Sequence, residues 1–258
     1  MKNFDYKKSL GQNFLIDKNI INKIVDSIDS KKEDLIIEIG PGSGALTKEL
    51  VKRESDIICF EIDERLKERL YSIDSKKLKI VFGDFLKIKL DDYIDYSKYK
   101  NIYFVGNLPY YITTAIINKI VSESKPYQIV IMIQKEVADR FNAKVGTKQY
   151  NSLSLFLQYN FEIEKVCNVS KNCFEPIPKV DSCVLKLKSN KKRLANNEEK
   201  LFKLIKDAFK QKRKNLKNNL GNYDLDKIEK ILNKFGKNLK NRAEEITLDE
   251  FIEISNNM

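Results

Sequence analysis

The chain has 258 residues, 42% of them hydrophobic, which is enough for a folded core in one or two domains and too apolar for an intrinsically disordered chain. Its 48 Lys and Arg against 37 Asp and Glu leave a formal charge of +11, which points to a polyanionic partner, nucleic acid or an anionic membrane surface. There is no histidine, so imidazole bases, Ser-His triads and histidine metal sites are excluded together.

No run approaches the roughly 18 apolar residues of a membrane span. The segment Met1 to Leu10 lacks the apolar core of a secretion signal, so a cytoplasmic location without membrane association is expected. The cysteines, Cys59, Cys167, Cys173 and Cys183, have no C-x-x-C spacing and read as core residues; no metal is expected.

Residues 1–16 are polar and irregular, and Gln12 and Asn13 offer amides. Taken alone, this segment reads as a frayed terminus tied down by Phe14 and Leu15. Asp17 is placed to cap a helix whose apolar positions are Ile20, Ile21, Ile24, Val25 and Ile28. Leu35 to Ile39 then reads as a buried strand that runs into Gly40-Pro41-Gly42-Ser43-Gly44, with a helical pattern through Leu46, Leu50 and Val51 behind it. Glycines between strand and helix let backbone amides approach a ligand closely, so Gly40, Gly42 and Gly44 are candidate cofactor contacts. The spacing is G-x-G-x-G, unlike a dinucleotide fingerprint, and Glu38 at the strand end suits a cationic ligand.

A second strand, Ile57 to Phe60, ends at Glu61-Ile62-Asp63. An acid about twenty residues after such a loop is placed for ribose hydroxyls, with Ile62 beside it. A helix over Glu64 to Ile73 and a third strand, Leu78 to Phe82, lead to Gly83-Asp84-Phe85. There Asp84 is a candidate acceptor for an adenine amine and Phe85 a stacking ring. Each acid alone is equally well a helix cap; three successive strands ending in a glycine loop, an acid and an acid form a far more specific constellation.

The fourth strand, Ile102 to Val105, carries Asn107-Leu108-Pro109-Tyr110 at its carboxyl end, where ligands of open α/β sheets bind. An adenine amine is a weak nucleophile because its lone pair is delocalised into the ring. The Asn107 side-chain oxygen and the Leu108 carbonyl are suited to accept its two hydrogens and aim the lone pair, with Pro109 fixing the turn. Tyr110 is a candidate for stacking on one face of the base, and Phe174, from a distant loop, on the other. Asn and Pro are also common turn formers, which is the plain alternative for this tetrapeptide.

A fifth strand, Gln128 to Ile133, completes a β/α alternation that implies a mostly parallel sheet. Residues 143–152 read as a mobile polar loop near the substrate, Leu153 to Tyr159 as a helix and Phe161 to Val169 as extended. Cys183 to Lys188 reads as a last, antiparallel strand. The composition shifts near residue 188: residues 188–258 carry 18 basic and 11 acidic residues, and Lys188 to Lys217 carry 12 and 3. The expected organisation is a catalytic domain over 1–187 and a small helical domain over 188–258 with a basic, RNA-contacting face.

Five segments together carry a resemblance: Lys8 to Leu15, Glu38 to Gly44, Gly83 to Phe85, Asn107 to Tyr110, and Phe174-Glu175-Pro176-Ile177-Pro178-Lys179-Val180-Asp181-Ser182. They resemble the S-adenosylmethionine-dependent rRNA adenine dimethyltransferases, and the last segment resembles the bacterial small-subunit (KsgA/RsmA) type most. The resemblance implies a Rossmann-like class I methyltransferase fold, an α/β architecture with a seven-stranded, mostly parallel sheet, plus a small C-terminal helical domain. It implies S-adenosyl-L-methionine as donor and N6,N6-dimethylation of two adjacent adenosines in the hairpin near the 3′ end of 16S rRNA. The implied setting is an immature small ribosomal subunit, with the protein acting as a monomer. It also turns Asn13 and Leu15 into cofactor contacts and supports Gly40, Glu61, Asp84 and Asn107 in the roles above. The rival expectations are a 23S rRNA adenine dimethyltransferase of the antibiotic-resistance type and a non-catalytic RNA-binding assembly factor.

Overall fold

The computed structural model describes residues 6, 12–109, 111–190 and 194–258. The chain forms two compact units, Met1–Ala138 with Glu164–Ser189, and Asp139–Ile163 with Asn190–Met258.

The first unit begins with a two-residue strand, β1 (Phe14–Leu15), and helix α1 (Lys18–Asp26). Asp17 caps α1 by accepting from the backbone N–H groups of Asn19 and Ile20, as its sequence position predicts. Strand β2 (Leu35–Ile39) follows, then a single helical turn, α2 (Thr47–Leu50), and strand β3 (Asp56–Glu61). Helix α3 (Lys67–Tyr71) and strand β4 (Leu78–Phe82) lead through a long connection to β5 (Ile102–Asn107). Then come α4 (Thr113–Glu123), β6 (Gln128–Gln134) and α5 (Lys135–Phe141), which crosses into the second unit. Helices α2 and α3 are shorter than the apolar spacing predicts: the turn that opens at Glu64 is 3₁₀ up to Leu66.

After helix α6 (Ser152–Asn160) come β7 (Phe161–Val169), a second two-residue strand β8 (Phe174–Glu175), and β9 (Ser182–Ser189). The seven-stranded sheet has the order β4-β3-β2-β5-β6-β9-β7. The β4-β3-β2-β5-β6 neighbours pair in parallel and β9 pairs antiparallel with β6, so the seven-stranded, mostly parallel sheet that the resemblance implies is the observed one. All five residues of β2, Glu38 included, are buried, which is why the central strands read as mainly apolar and not as alternating patterns.

The carboxyl ends of β2, β3 and β5 meet at one edge, because the register sets Ile39 opposite both Phe60 and Gly106. Gly106 is required for this close approach. A Cβ at that position would lie 2.6 Å from the Ile39 carbonyl oxygen and 3.0 Å from Leu108 Cδ2. Gly106→Ala is therefore expected to destabilise the protein by about 1–3 kcal/mol, read as a lower urea midpoint at unchanged slope.

The second unit is built from α6, α7 (Glu198–Ala208), α8 (Leu216–Asn219), α9 (Leu225–Asn233) and α10 (Leu248–Asn256). Leu155, Leu204, Ile205, Leu232 and Phe251 are among its buried core residues. The 143–152 segment, predicted as a mobile loop, is tied into this core. Tyr150 is buried and its hydroxyl donates to the Ile246 carbonyl at 3.2 Å, and the Gly146 N–H donates to the Glu244 carbonyl at 2.7 Å. The exposed basic stretch Lys212, Arg213 and Lys214 belongs to the α7–α8 connection.

Candidate active site

A cavity opens at the carboxyl edge of β2, β3, β4 and β5. Gly40, Glu61, Asp84 and Asn107 all line it, each delivered by the end of a different strand. The glycine turn follows β2 with φ of +68° at Gly40 and +56° at Gly42, in the left-handed region that glycine tolerates. A Cβ at Gly40 would meet nothing within 4 Å, so backbone there fronts open space that a ligand can occupy. A Cβ at Gly42 would instead sit 2.7 Å from the Phe14 ring, so the absent side chain lets Phe14 close over the turn.

Glu61 is 4% exposed and fixes the glycine turn from below. Its Oε2 accepts from the Gly42 N–H at 2.9 Å and its Oε1 from the Asp63 N–H at 2.9 Å. Burial raises its pKa against these backbone donors. Each carboxylate oxygen has a second lone pair, so Glu61 can still accept from ligand hydroxyls. Asp63, by contrast, faces away into its own network. Bonds from the Arg65 guanidinium, then from Gln12 Nε2 at 2.7 Å, hold its pKa down at about 2.

Glu38 also lines the cavity and is 1% exposed. Burial pushes its pKa up to about 7, although the Thr47 hydroxyl donates to its Oε2 at 2.7 Å and the Cys59 thiol at 3.4 Å. A buried carboxyl with no cation against it among the described residues is poised to gain from a cationic ligand. On the far side, Asp84 Oδ1 accepts from the Leu86 N–H at 3.0 Å, and Phe85 packs edge-on to Phe60 with centroids 5.5 Å apart.

Asn107 is oriented unambiguously. Its Nδ2 donates to the Asn13 backbone carbonyl at 2.9 Å. A carbonyl can only accept, so the nitrogen must face Asn13 and the Oδ1 is the end left for another donor. The Pro109 carbonyl is used by the Thr113 hydroxyl at 2.9 Å and the Ile112 N–H at 3.2 Å. Among the described residues no group donates to the Leu108 carbonyl. Among the described residues of the tetrapeptide, Asn107 Oδ1 and Leu108 O thus remain as acceptors.

Asn13 is held there by pairing across the chain. Strand β1 pairs antiparallel with β8, Phe14 opposite Glu175 and Leu15 opposite Phe174, and the Ile16 N–H donates to the Cys173 carbonyl at 2.9 Å. The segment read from periodicity as a frayed terminus is, from residue 12 onward, one wall of the cavity.

The matching family is described as "Ribosomal RNA adenine dimethylase", and the match runs over residues 3–258. This chain belongs to the ribosomal RNA adenine dimethylase family. It is 41% identical over 268 residues to the ribosomal RNA small subunit methyltransferase A of Bacillus cytotoxicus, covering 98% of this chain and 91% of that one. It is 40% identical over 266 residues to the protein of the same name from Bacillus mycoides, with the same coverage. Among solved structures it is similar to a dimethyladenosine transferase from Plasmodium falciparum, with TM-score 0.76 and 26% identity over 93% of this chain and 95% of that one. It is also similar to the 23S rRNA methyltransferase ErmE, with TM-score 0.75 and 25% identity over 94% and 98%.

Of the candidate residues, the dimethylase fold gathers Asn13, Leu15, Gly40, Gly42, Glu61, Ile62, Asp84, Phe85, Asn107, Leu108 and Pro109 around the one cavity. Two candidates are not among the residues that line it. A Cβ at Gly44 would lie 2.8 Å from Ile73 Cδ1 and 3.4 Å from Leu70 Cδ2, so the absent side chain lets the turn pack against these two residues. Phe174 is 3% exposed and belongs to the core cluster of Leu15, Ile20 and Val184. Tyr110 lies outside the described residues. Tyr111, which the sequence reading passed over, lines the cavity and is 55% exposed. A second aromatic in the same turn was the available signal. Gln12 and Phe14 were also missed as wall residues; their placement depends on pairing with residue 175, which no local pattern reports. No helix among the described residues is long and apolar enough to cross a membrane.

Proposed function

We infer that this protein uses S-adenosyl-L-methionine to dimethylate N6 of two adjacent adenosines in the hairpin near the 3′ end of 16S rRNA. The proposed substrate is an immature small ribosomal subunit in the cytoplasm, and the proposed active form is a monomer. The observation that carries the chemistry is the Asn107 amide, latched through its nitrogen to Asn13 with its oxygen left to accept. The preference for the small subunit rests on the curated relatives at 40–41% identity, against 25% for ErmE.

The cavity fits the donor in its chemistry. Gly40 leaves room for close backbone approach, Glu61 retains acceptor capacity for ribose hydroxyls, and Asp84 with Phe85 offers an acceptor and a ring for adenine. Glu38 offsets positive charge at the amino-acid end. Leu15, Ile62 and the Gly42 turn complete the walls. When bound, the donor supplies a methyl group activated by a sulfonium.

The rest is done by the chain. Asn107 Oδ1 and Leu108 O accept the two N6 hydrogens of a flipped adenine, which localises the nitrogen lone pair and points it into the cavity. Pro109 holds the turn, and Tyr110 and Tyr111 supply aromatic surface for the base. The methylated nitrogen is acidic and sheds its proton without a dedicated base, consistent with a chain that has no histidine. Transfer from a sulfonium to an amine asks for no Lewis acid, so no metal enters this reading. The basic stretch between Lys188 and Lys217, which begins at the end of β9 and continues into the helical unit, supplies phosphate contacts.

The test is methyl incorporation into undermethylated small subunits, mapped by primer extension. Two adjacent stops in the 3′ hairpin of the small-subunit rRNA are expected. A mark on large-subunit rRNA instead would make the ErmE-like reading correct, and no incorporation with intact RNA binding would leave an assembly factor.

A further inference from the structure

Beside the cavity, at the carboxyl end of β6, lies a second hollow that the methyl-transfer chemistry does not use. Lys135, Lys171 and Lys179 line it, together with Gln134, Glu136 and Asp181. The three lysines come from three separate segments: the start of α5, the turn before β8, and the proline-rich loop before β9. They are brought together by one residue. The Asp181 carbonyl accepts from the Lys135 N–H at 3.1 Å, and Asp181 Oδ1 accepts from the Lys171 N–H at 2.9 Å. Lys179 is two positions from Asp181, and the next residue, Ser182, is locked opposite Gln134 in the β6–β9 ladder.

All three lysines are exposed, and none of their ammonium groups forms an ion pair with a described carboxylate. Charged surface runs are normally interspersed with partners; convergence of three unpaired cations on a backbone-fixed acid is different. Glu136 and Asp181 temper the net field, so direct ammonium contact and not long-range potential must hold an anion here.

The position names the anion. Asn107 sits opposite Met132 in the β5–β6 ladder, and Lys135 directly follows Gln134, the last residue of β6, three positions beyond Met132. At strand spacings this places it roughly 10 Å from Asn107. That is the distance range of the nucleotides flanking a base lodged at Asn107.

We propose that Lys135, Lys171 and Lys179, organised by Asp181, form a phosphodiester site that grips the RNA backbone next to the flipped adenosine. This rests on the RNA-methylation reading above and adds to it a substrate-positioning role. Phosphate contacts position a strand without reading sequence, so the same site can grip either of two successive phosphates as each of the two adjacent adenosines takes its turn at Asn107.

The test compares full-length wild type with Lys135→Gln/Lys171→Gln/Lys179→Gln, and with a control, Lys31→Gln/Lys32→Gln/Lys52→Gln. The control removes the same charge from the amino-end loops of the sheet. Binding to undermethylated small subunits is measured by filter retention at fixed magnesium and varied KCl. Each lost phosphate contact flattens the plot of log affinity against log salt by about 0.7 on single strands. The site variant is expected to lose at least about tenfold in affinity at physiological salt, with a slope shallower by about 2 and donor binding unchanged. Lys179→Gln alone should give about a third of that slope change. Equal slopes and affinities for site variant and control would overturn the proposal. If wild type itself retains no small subunits, the RNA reading falls, and this site with it.

Discussion

Asn107→Ala is expected to lower the single-turnover rate of methyl transfer by about 100-fold or more at saturating donor and subunit. The side chain supplies one of the two acceptors that hold the amine hydrogens, and losing one preorganised hydrogen-bond partner at a reacting centre costs on that order. Asn107→Asp separates the two ends of the amide. It keeps an acceptor but cannot donate to the Asn13 carbonyl, which it would face at about the present 2.9 Å. The expected result is a several-fold weaker affinity for S-adenosylhomocysteine by calorimetry, because residues 12–15 lose a latch on the cavity wall. Its loss of rate at saturating donor should be smaller than that of Asn107→Ala. Equal losses of rate in the two variants would remove Asn107 Oδ1 from the chemistry.

Glu38→Gln is expected to stabilise the protein, and by an amount that depends on pH. The carboxyl titrates near 7 in the folded chain and near 4.5 when exposed. Between those values the native state binds more protons than the unfolded state, so wild-type stability falls as pH rises from about 4.5 to 7 and the cost then stays level. Burial sets this cost, at about 3 kcal/mol for a shift of this size. Glutamine keeps an acceptor for Thr47 without the charge. Urea unfolding at pH 5 and pH 8 should therefore show the variant ahead of wild type at pH 8 and nearly level at pH 5. The opposite order is expected for donor binding, because the cationic end of the donor stabilises the ionised Glu38 carboxylate. Donor affinity of wild type should rise from pH 6 to pH 8 and that of Glu38→Gln should stay flat. Identical stability of the two proteins at pH 8 would mean that Glu38 is solvated in the native state.

Much of this site can be read from the chain because a parallel sheet makes it legible. Buried parallel strands such as Leu35–Ile39 and Ile102–Asn107 are mainly apolar along both faces, with Glu38 and Asn107 near their carboxyl ends, and those ends must lie on one edge. Glu61, Asp84 and Asn107 are found simply by asking what stands at those ends. What escapes is non-local. The pairing of Phe14–Leu15 with Phe174–Glu175 joins two-residue strands 160 positions apart, too short for any period. Phe174 consequently read as a stacking ring although it is buried, and Asn13, until the resemblance made it a cofactor contact, read as a loose tail although its carbonyl holds the Asn107 amide. Gly44 shares a motif with Gly40 and Gly42 but meets Leu70 and Ile73, almost thirty residues on, a contact that no local pattern reports. Residues 139–163 pack with the helical unit, and the charge shift near residue 188 carries no trace of that, since packing follows apolar faces and not net charge.

The most direct measurement is a crystal structure with S-adenosylhomocysteine bound. The expected result is a ribose on Glu61, an adenine beside Asp84 and Phe85, and a sulfur facing the open side of the Asn107 oxygen across a gap that one methyl group spans. A ligand bound in the same cavity with its sulfur turned toward Phe85, and its adenine against Asn107, would contradict the account at its root.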